Sequence, residues 1–229
     1  MLLPAGLIPA TLIRRLNRFA VEVELEGHPL AAHLPNSGRV RELLQPGTPA
    51  LLVSRSGSRR KTAFDLLLVR LGPTWVSADA RLPNALVREA LAEGRLEPFR
   101  RYAEVRPEAR FGGSRVDFLL RGREGDCLLE VKSVTLVEAG VALFPDAPTA
   151  RGTCHLRELT EARRQGLAAA VLFVVQRRDG GAFSPNDPAD PSFGRILREA
   201  AQKGVQVLAY RCRVSPREIR IAGSIPVRL

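Results

Sequence analysis

The segment Ser114-Arg115-Val116-Asp117-Phe118-Leu119-Leu120 decides how this chain folds, together with Cys127-Leu128-Leu129-Glu130-Val131-Lys132 that follows it. Gly122–Gly125 is the turn between the two runs. Placing Arg121 opposite Asp126 sets Leu119 against Leu128 and Asp117 against Glu130. Side chains alternate along a strand, so Asp117, Glu130 and Lys132 share one face. Val116, Phe118, Leu120, Leu129 and Val131 take the other face and enter the core. Directly opposed carboxylates repel and weaken a sheet. A divalent cation converts that cost into a binding site, and oxygen ligands suit Mg²⁺ or Mn²⁺. A lysine two residues from Glu130 can orient or deprotonate a water, or stabilise developing charge on phosphorus. Asp117, Glu130 and Lys132 are therefore the candidate catalytic residues, for cutting a phosphodiester. The plainer alternative is a charged, solvated sheet face neutralised by Lys132. Leu119 and Leu128 argue against it, because they place apolar groups on that same face.

Outward from this hairpin the elements fall into order. Before it, Asn84 can cap a helix carrying Leu86, Val87, Ala90 and Leu91, which Gly94 ends. Ala103–Phe111 reads as a further strand. After it, a helix over 153–165 carries Leu156, Leu159 and Ala162. Ala169–Val175 is a near-continuous apolar run, as expected of a strand covered on both faces. Asp190-Pro191 supplies an N-cap and a first-turn proline for a last helix that stops at Gly204. Val205–Tyr210 and Glu218–Ile221 finish as strands. Residues 1–80 differ in texture. Ala20–Leu25, Leu30–Leu34, Ala50–Ser54, Phe64–Val69 and Thr74–Ser77 are short strands between turn signals. Five strands at such intervals suggest a small barrel of the oligonucleotide-binding type. The expected organisation is a barrel over 1–80 and an α/β domain over 81–229.

The 229 residues suffice for that arrangement, and 45% hydrophobic with 26% charged residues is an ordinary globular balance. The charge is not ordinary. Thirty-five basic against 24 acidic residues give +11, with a pI near 10.9. Such a chain is expected to meet polyanions. Only Lys61, Lys132 and Lys203 are lysine, so a lysine beside two acids stands out from an arginine background. Three cysteines without metal-ligand spacing argue against disulfides and zinc and suit a reducing, cytoplasmic setting. Residues 1–13 are apolar but carry Pro4 and Pro9 and lack a basic n-region, unlike a secretory signal. No apolar stretch reaches the roughly 20 residues of a membrane span.

The helix–three strands–helix–strand order around Asp117 and Glu130-Val131-Lys132 resembles the restriction-endonuclease-like fold. The chain as a whole resembles the sugar fermentation stimulation protein family (SfsA). The residues that carry this are Pro35-Asn36-Ser37-Gly38, Leu82-Pro83-Asn84, the two segments quoted first, Phe144-Pro145-Asp146-Ala147 and His155-Leu156-Arg157-Glu158-Leu159, with Tyr210-Arg211-Cys212 near the end. The resemblance implies an oligonucleotide-binding-type barrel, a nuclease-like domain and sequence-nonspecific DNA binding. Where the family pattern has an acidic residue and a lysine before the histidine, this chain has Ala150 and Cys154.

Further candidates follow. Glu89 sits where nucleases of this fold place an accessory metal carboxylate; a solvated helix residue is the alternative. Gln176 ends the buried strand and could reach the metal, or simply be polar. Arg55, Arg59, Arg60 and Lys61 lie in a Ser/Gly loop that could grip phosphates of single- or double-stranded DNA. The amides of Asn36, Ser37 and Gly38 could form a phosphate nest, or only a turn. Arg151 and His155 flank a helix start, a position that favours anions. Trp75 is expected in the barrel core. Three functions compete: a metal-dependent, nonspecific nuclease; a non-catalytic DNA-binding regulator of sugar (maltose) metabolism genes; and an enzyme acting on phosphorylated metabolites. No dinucleotide or P-loop glycine motif supports the last.

Overall fold

The structure is a computed structural model, and it describes residues 1–57 and 60–229. Arg59 of the expected basic loop lies outside the described residues.

The first sheet contains β1 (Ile8–Asn17), β2 (Ala20–Leu25), β3 (His28–His33), β4 (Pro49–Ser54), β5 (Phe64–Leu71) and β6 (Thr74–Ser77). Its order is β3-β2-β1-β4-β5-β6, and β3 also meets β5 in parallel at His33 and Asp65. That pairing closes β1–β5 into a five-stranded barrel, with β6 folded back on β5. Closure leaves no free edge among the five. Leu12, Val21, Val23, Leu34, Leu52 and Leu66 fill the interior. The sequence reading missed β1. Its apolar residues are interrupted by Pro9 and by paired arginines, so the strand's alternation is hidden.

The second region runs α1 (Leu82–Ala92), β7 (Tyr102–Phe111), β8 (Ser114–Gly122), β9 (Gly125–Val134), β10 (Val137–Glu138), β11 (Val141–Phe144), α2 (Ala150–Arg164), β12 (Ala168–Val175), β13 (Ala182–Pro185), α3 (Pro191–Gln202), β14 (Gln206–Val214) and β15 (Ile219–Ser224). Six strands form one sheet, β15-β14-β12-β9-β8-β7, with β9, β12 and β14 parallel. The small sheet β10-β11-β13 was not expected, because its strands have only two to four residues.

Each face of the large sheet buries its own core. On one face Phe118, Leu120, Leu129, Val131, Leu172 and Val174 meet Leu86, Val87 and Ala90 of α1 and Leu51, Val53, Leu67 and Leu68 of the barrel. On the other, Leu128, Val171, Phe173 and Val175 meet Leu156 and Leu159 of α2 and Phe193, Ile196 and Leu197 of α3. Strand β12 is covered on both faces, which explains its continuous apolar run. Val116 was expected on the Phe118 face and instead joins the α2–α3 core. The β8–β9 ladder stops at Phe118 and Leu129, so β8 is no longer bound to β9's alternation there. Asp190 caps α3 as expected, accepting from the Phe193 N–H. α1 begins earlier than expected: Arg81 is its N-cap, and Asn84 lies inside the helix. No helix among the described residues is long and apolar enough to cross a membrane.

Candidate active site

Strand β9 carries the site because it lies inside the sheet, with β8 on one side and β12 on the other. Its backbone pairs with β8 from Gly125 up to Leu129, in the register read from the sequence. Beyond that point side chains replace the ladder, so Asp117 and Glu130 are not the directly opposed pair on one face that the sequence register predicts. The Val131 N–H donates to Asp117 Oδ2 at 2.8 Å. Asn84 of α1 donates its amide to Asp117 Oδ1 at 2.7 Å. Both oxygens of Asp117 are thus held, each from a different element.

Glu130 is held from the opposite face, its side chain 3% exposed. Lys132 Nζ donates to Oε1 at 2.6 Å, and His155 Nδ1 of α2 contacts the same oxygen. Arg151, one turn earlier on α2, donates from Nε to His155 Nε2 at 3.3 Å. An imidazole accepting at Nε2 carries its proton on Nδ1, the tautomer that can donate to Glu130. With Oε1 doubly engaged, Oε2 is buried and has no hydrogen-bond partner. An orphaned carboxylate oxygen in the interior calls for an explanation, and an absent ion is one.

The two acids are pushed apart in acidity. Burial raises the Asp117 carboxyl above the usual range, and the Glu130 charge adds to it. The Val131 N–H, Asn84 and Lys132 only partly oppose this. Burial also works to raise Glu130, but the His155 contact and Lys132 outweigh it, and Glu130 ends below its ordinary value. Neighbouring carboxyls with opposite shifts are a feature of reactive sites. Asp117 and Glu130, the latter through Oε2, supply oxygen ligands that fit a hard divalent cation. Among the described residues no group of three or more His, Cys, Asp or Glu is arranged to hold a metal ion, so such a cation would complete its shell with backbone or solvent oxygens.

The remaining candidates are placed elsewhere. Glu89 does not face the pair; it binds the Met1 ammonium at 2.8 Å and lies 3.8 Å from Arg95. Asn84 is the α1 side chain that reaches Asp117. Gln176 is fully buried and ties the domains together, donating to Ser133 Oγ at 2.9 Å and to the Asp79 carbonyl at 3.2 Å. The Asn36–Gly38 amides do not form an open nest. Gly38 N–H donates to Asn36 Oδ1 and Val40 N–H to Asp146 Oδ2. Asp146 occupies the position an anion would take, and a Cβ on Gly38 would lie 2.7 Å from its Oδ2. Arg55 and Arg60, though exposed, are paired with the buried Asp65, whereas Lys61 forms no salt bridge among the described residues. Trp75 is half-buried against the α1-side core, outside the barrel interior.

Sequence reasoning missed the roles of Asn84 and His155. His155 carried a usable signal: with Leu159 and Ala162 it recurs at the inward spacing of α2, so it is a core-facing residue rather than a rim residue. Asn84 carried none, because only the docking of α1 brings it to β8.

Two family models divide the chain. The sugar fermentation stimulation protein RE domain matches residues 81–218, and the SfsA N-terminal OB domain matches residues 13–78. The chain belongs to the sugar fermentation stimulation protein family. It is 48% identical to the sugar fermentation stimulation protein homolog of Citrifermentans bemidjiense over the whole of both chains. The homolog of Moorella thermoacetica is 49% identical, over 99% of each chain. Among solved structures, Pyrococcus furiosus SfsA in complex with Ca²⁺ superposes with a TM-score of 0.90 at 28% identity, covering 99% of this chain and 97% of that one. The oligonucleotide-binding barrel followed by an α/β domain is therefore this family's architecture.

Proposed function

We propose that this family member is a DNA-binding protein without sequence preference that hydrolyses phosphodiesters with a divalent cation at Asp117 and Glu130. The observation that carries this is the buried, unpartnered Oε2 of Glu130 beside a second carboxylate whose acidity is lowered by burial and by Glu130. Asp117 and Glu130 would hold Mg²⁺ or Mn²⁺, and the solved relative's complex with Ca²⁺ is in keeping with a hard cation. When bound, such an ion supplies positive charge against the phosphate and acidifies a coordinated water. The chain's own groups do the rest. Asn84 and the Val131 amide fix the Asp117 carboxylate; Lys132 and His155 fix Glu130. Lys132, 12% exposed, can donate to a phosphate oxygen or hold the attacking water. Water gives up a proton to solvent as it adds to phosphorus, the P–O bond to the leaving sugar breaks, and the departing alkoxide takes a proton back from solvent. The net charge of +11 supports binding through the phosphate backbone.

The test is incubation of pure protein with single- and double-stranded DNA in Mg²⁺, Mn²⁺ or EDTA. Cleavage with either metal and none in EDTA is expected. Neither cleavage nor a metal-linked rise in melting temperature at millimolar Mg²⁺ or Mn²⁺ would refute the site.

A further inference from the structure

Among its described residues the barrel exposes one large aromatic ring, Phe19, whose backbone is hydrogen-bonded on both sides. Arg18 and Phe19 are the two tip residues of the β1–β2 hairpin, where Asn17 pairs with Ala20. Phe19 is 47% exposed. Exposing that ring forgoes part of the burial free energy that a large apolar side chain would otherwise contribute. Its main chain is nevertheless fixed on both sides. The Phe19 N–H donates to Asn17 Oδ1 at 2.9 Å, while its carbonyl accepts from Leu34 N–H at 2.8 Å and contacts His33 Nδ1 at 2.9 Å. The Arg18 guanidinium stands 5.4 Å from the ring centroid.

This ring borders a surface hollow of about 480 Å³ shared with Asn17, His33, Arg60, Lys61 and Thr62. None of its lining residues is acidic. The hollow lies between the β1–β2 hairpin and the β4–β5 loop, two loops that oligonucleotide-binding barrels use to hold single strands. We propose that this hollow binds an unpaired stretch of nucleic acid, with one base stacked on Phe19 and the flanking phosphates met by Arg18 and Lys61. Aromatic stacking needs a base freed from its duplex partner, and the ammonium and guanidinium supply the backbone charge. The ligand class is single-stranded DNA or RNA. This rests on the DNA-binding reading above and adds to it the strand form and the place.

The test is fluorescence anisotropy of labelled oligo(dT), oligo(rU) and a mixed-sequence duplex of equal length, in EDTA so that nothing is cut. Phe19→Ala should weaken oligo(dT) binding by about five- to a hundredfold, the range for losing one base–aromatic stack. Duplex affinity should change far less, and the salt dependence for oligo(dT) should stay the same, since stacking releases no counterions. Phe19→Trp should restore binding and Phe19→Leu should not. Lys61→Ala should instead flatten the log–log salt slope by about 0.7. Equal affinity for oligo(rU) and oligo(dT) assigns the site to either sugar; a clear preference assigns it to the preferred one, and both support the proposal. Unchanged oligo(dT) binding in Phe19→Ala, or Phe19→Leu binding as tightly as the natural protein, overturns the stacking site while leaving DNA binding intact. Failure of the natural protein to bind any of the three overturns both.

Discussion

Two carboxylate clusters among the described residues, around Asp65 and around Glu130, are built in opposite ways. In the barrel, Asp65 is 1% exposed and meets Arg55 at 3.2 Å, Arg81 at 3.1 Å and Arg60 as well. Burial works to raise its carboxyl, but Arg81 and Arg60 more than offset this and hold it below the usual range. Arg81 also binds Asp79 at 2.6 Å, so the cluster ties the β4–β5 loop to the start of α1. In the α/β domain, Asp117 and Glu130 share one nearby lysine, Asp117 is raised, and one oxygen of Glu130 has no partner. In the first cluster three arginines serve two aspartates; in the second a single lysine serves two acids. Burial alone does not separate the two clusters; how their carboxylate oxygens are paired does.

The largest effect that can break this contrast is chemical. Lys132→Ala should lower metal-dependent strand cleavage by about a hundredfold to ten-thousandfold, the range for losing a positioned proton-handling group. Lys132→Arg should not restore it, because a guanidinium stays charged and is shaped for bidentate contacts. Cleavage persisting in Lys132→Ala would remove the proposed catalyst.

Stability comes next, with opposite expectations for the two clusters. Asp65→Asn should destabilise the fold by about 2–3 kcal/mol in urea unfolding. That is below the roughly 3–5 kcal/mol for breaking a wholly buried pair, because the half-exposed arginines can return to water. Asp117→Asn should cost less than Asp65→Asn without metal, since relief of the Glu130 repulsion offsets the loss of one accepted hydrogen bond. It should also abolish a metal-linked stabilisation that reaches about 2.7 kcal/mol at a hundredfold excess over Kd. Asp117→Asn retaining that stabilisation would make the two clusters alike.

Acid unfolding sharpens the same comparison. The Asp65 carboxyl is held lower in the folded state than in the unfolded chain, whose value is near 3.8. Its stabilisation is therefore complete above that value and is lost as the pH falls below it toward the folded pKa. Asp65→Asn should remove this part of the acid limb, and Asp117→Asn should leave it in place.

The smallest effect separates two neighbours in one loop. Arg60→Ala should lower the melting temperature by a few degrees, because it takes a partner from Asp65. Lys61→Ala should leave the melting temperature within a degree and act only on DNA affinity and its salt dependence.

The hairpin register, the shared face of Glu130 and Lys132, the capping of α3 and the buried run of β12 were legible in the sequence. Each follows from local rules: alternation, turn glycines, a capping aspartate and strand length. The β1 strand was hidden by its arginines, and Val116 escaped because β8 parts from β9 where Asp117 takes the Val131 amide. The basic loop read as a phosphate grip, yet two of its arginines answer to an aspartate on the neighbouring strand. An ion pair across a barrel leaves no periodic trace.

By itself the sequence determined the residue types of the site and the strand that holds Glu130 and Lys132, because neighbours on one strand are fixed by backbone geometry. Only the tertiary structure decided which groups complete the site. Asn84 reaches Asp117 because α1 docks on one face of the sheet, and His155 reaches Glu130 because α2 docks on the other. Glu89, on the same helix as Asn84, was turned away to the Met1 ammonium. A helix offers its residues to every direction around its axis, and only the packing of its apolar stripe selects which polar ones face the chemistry.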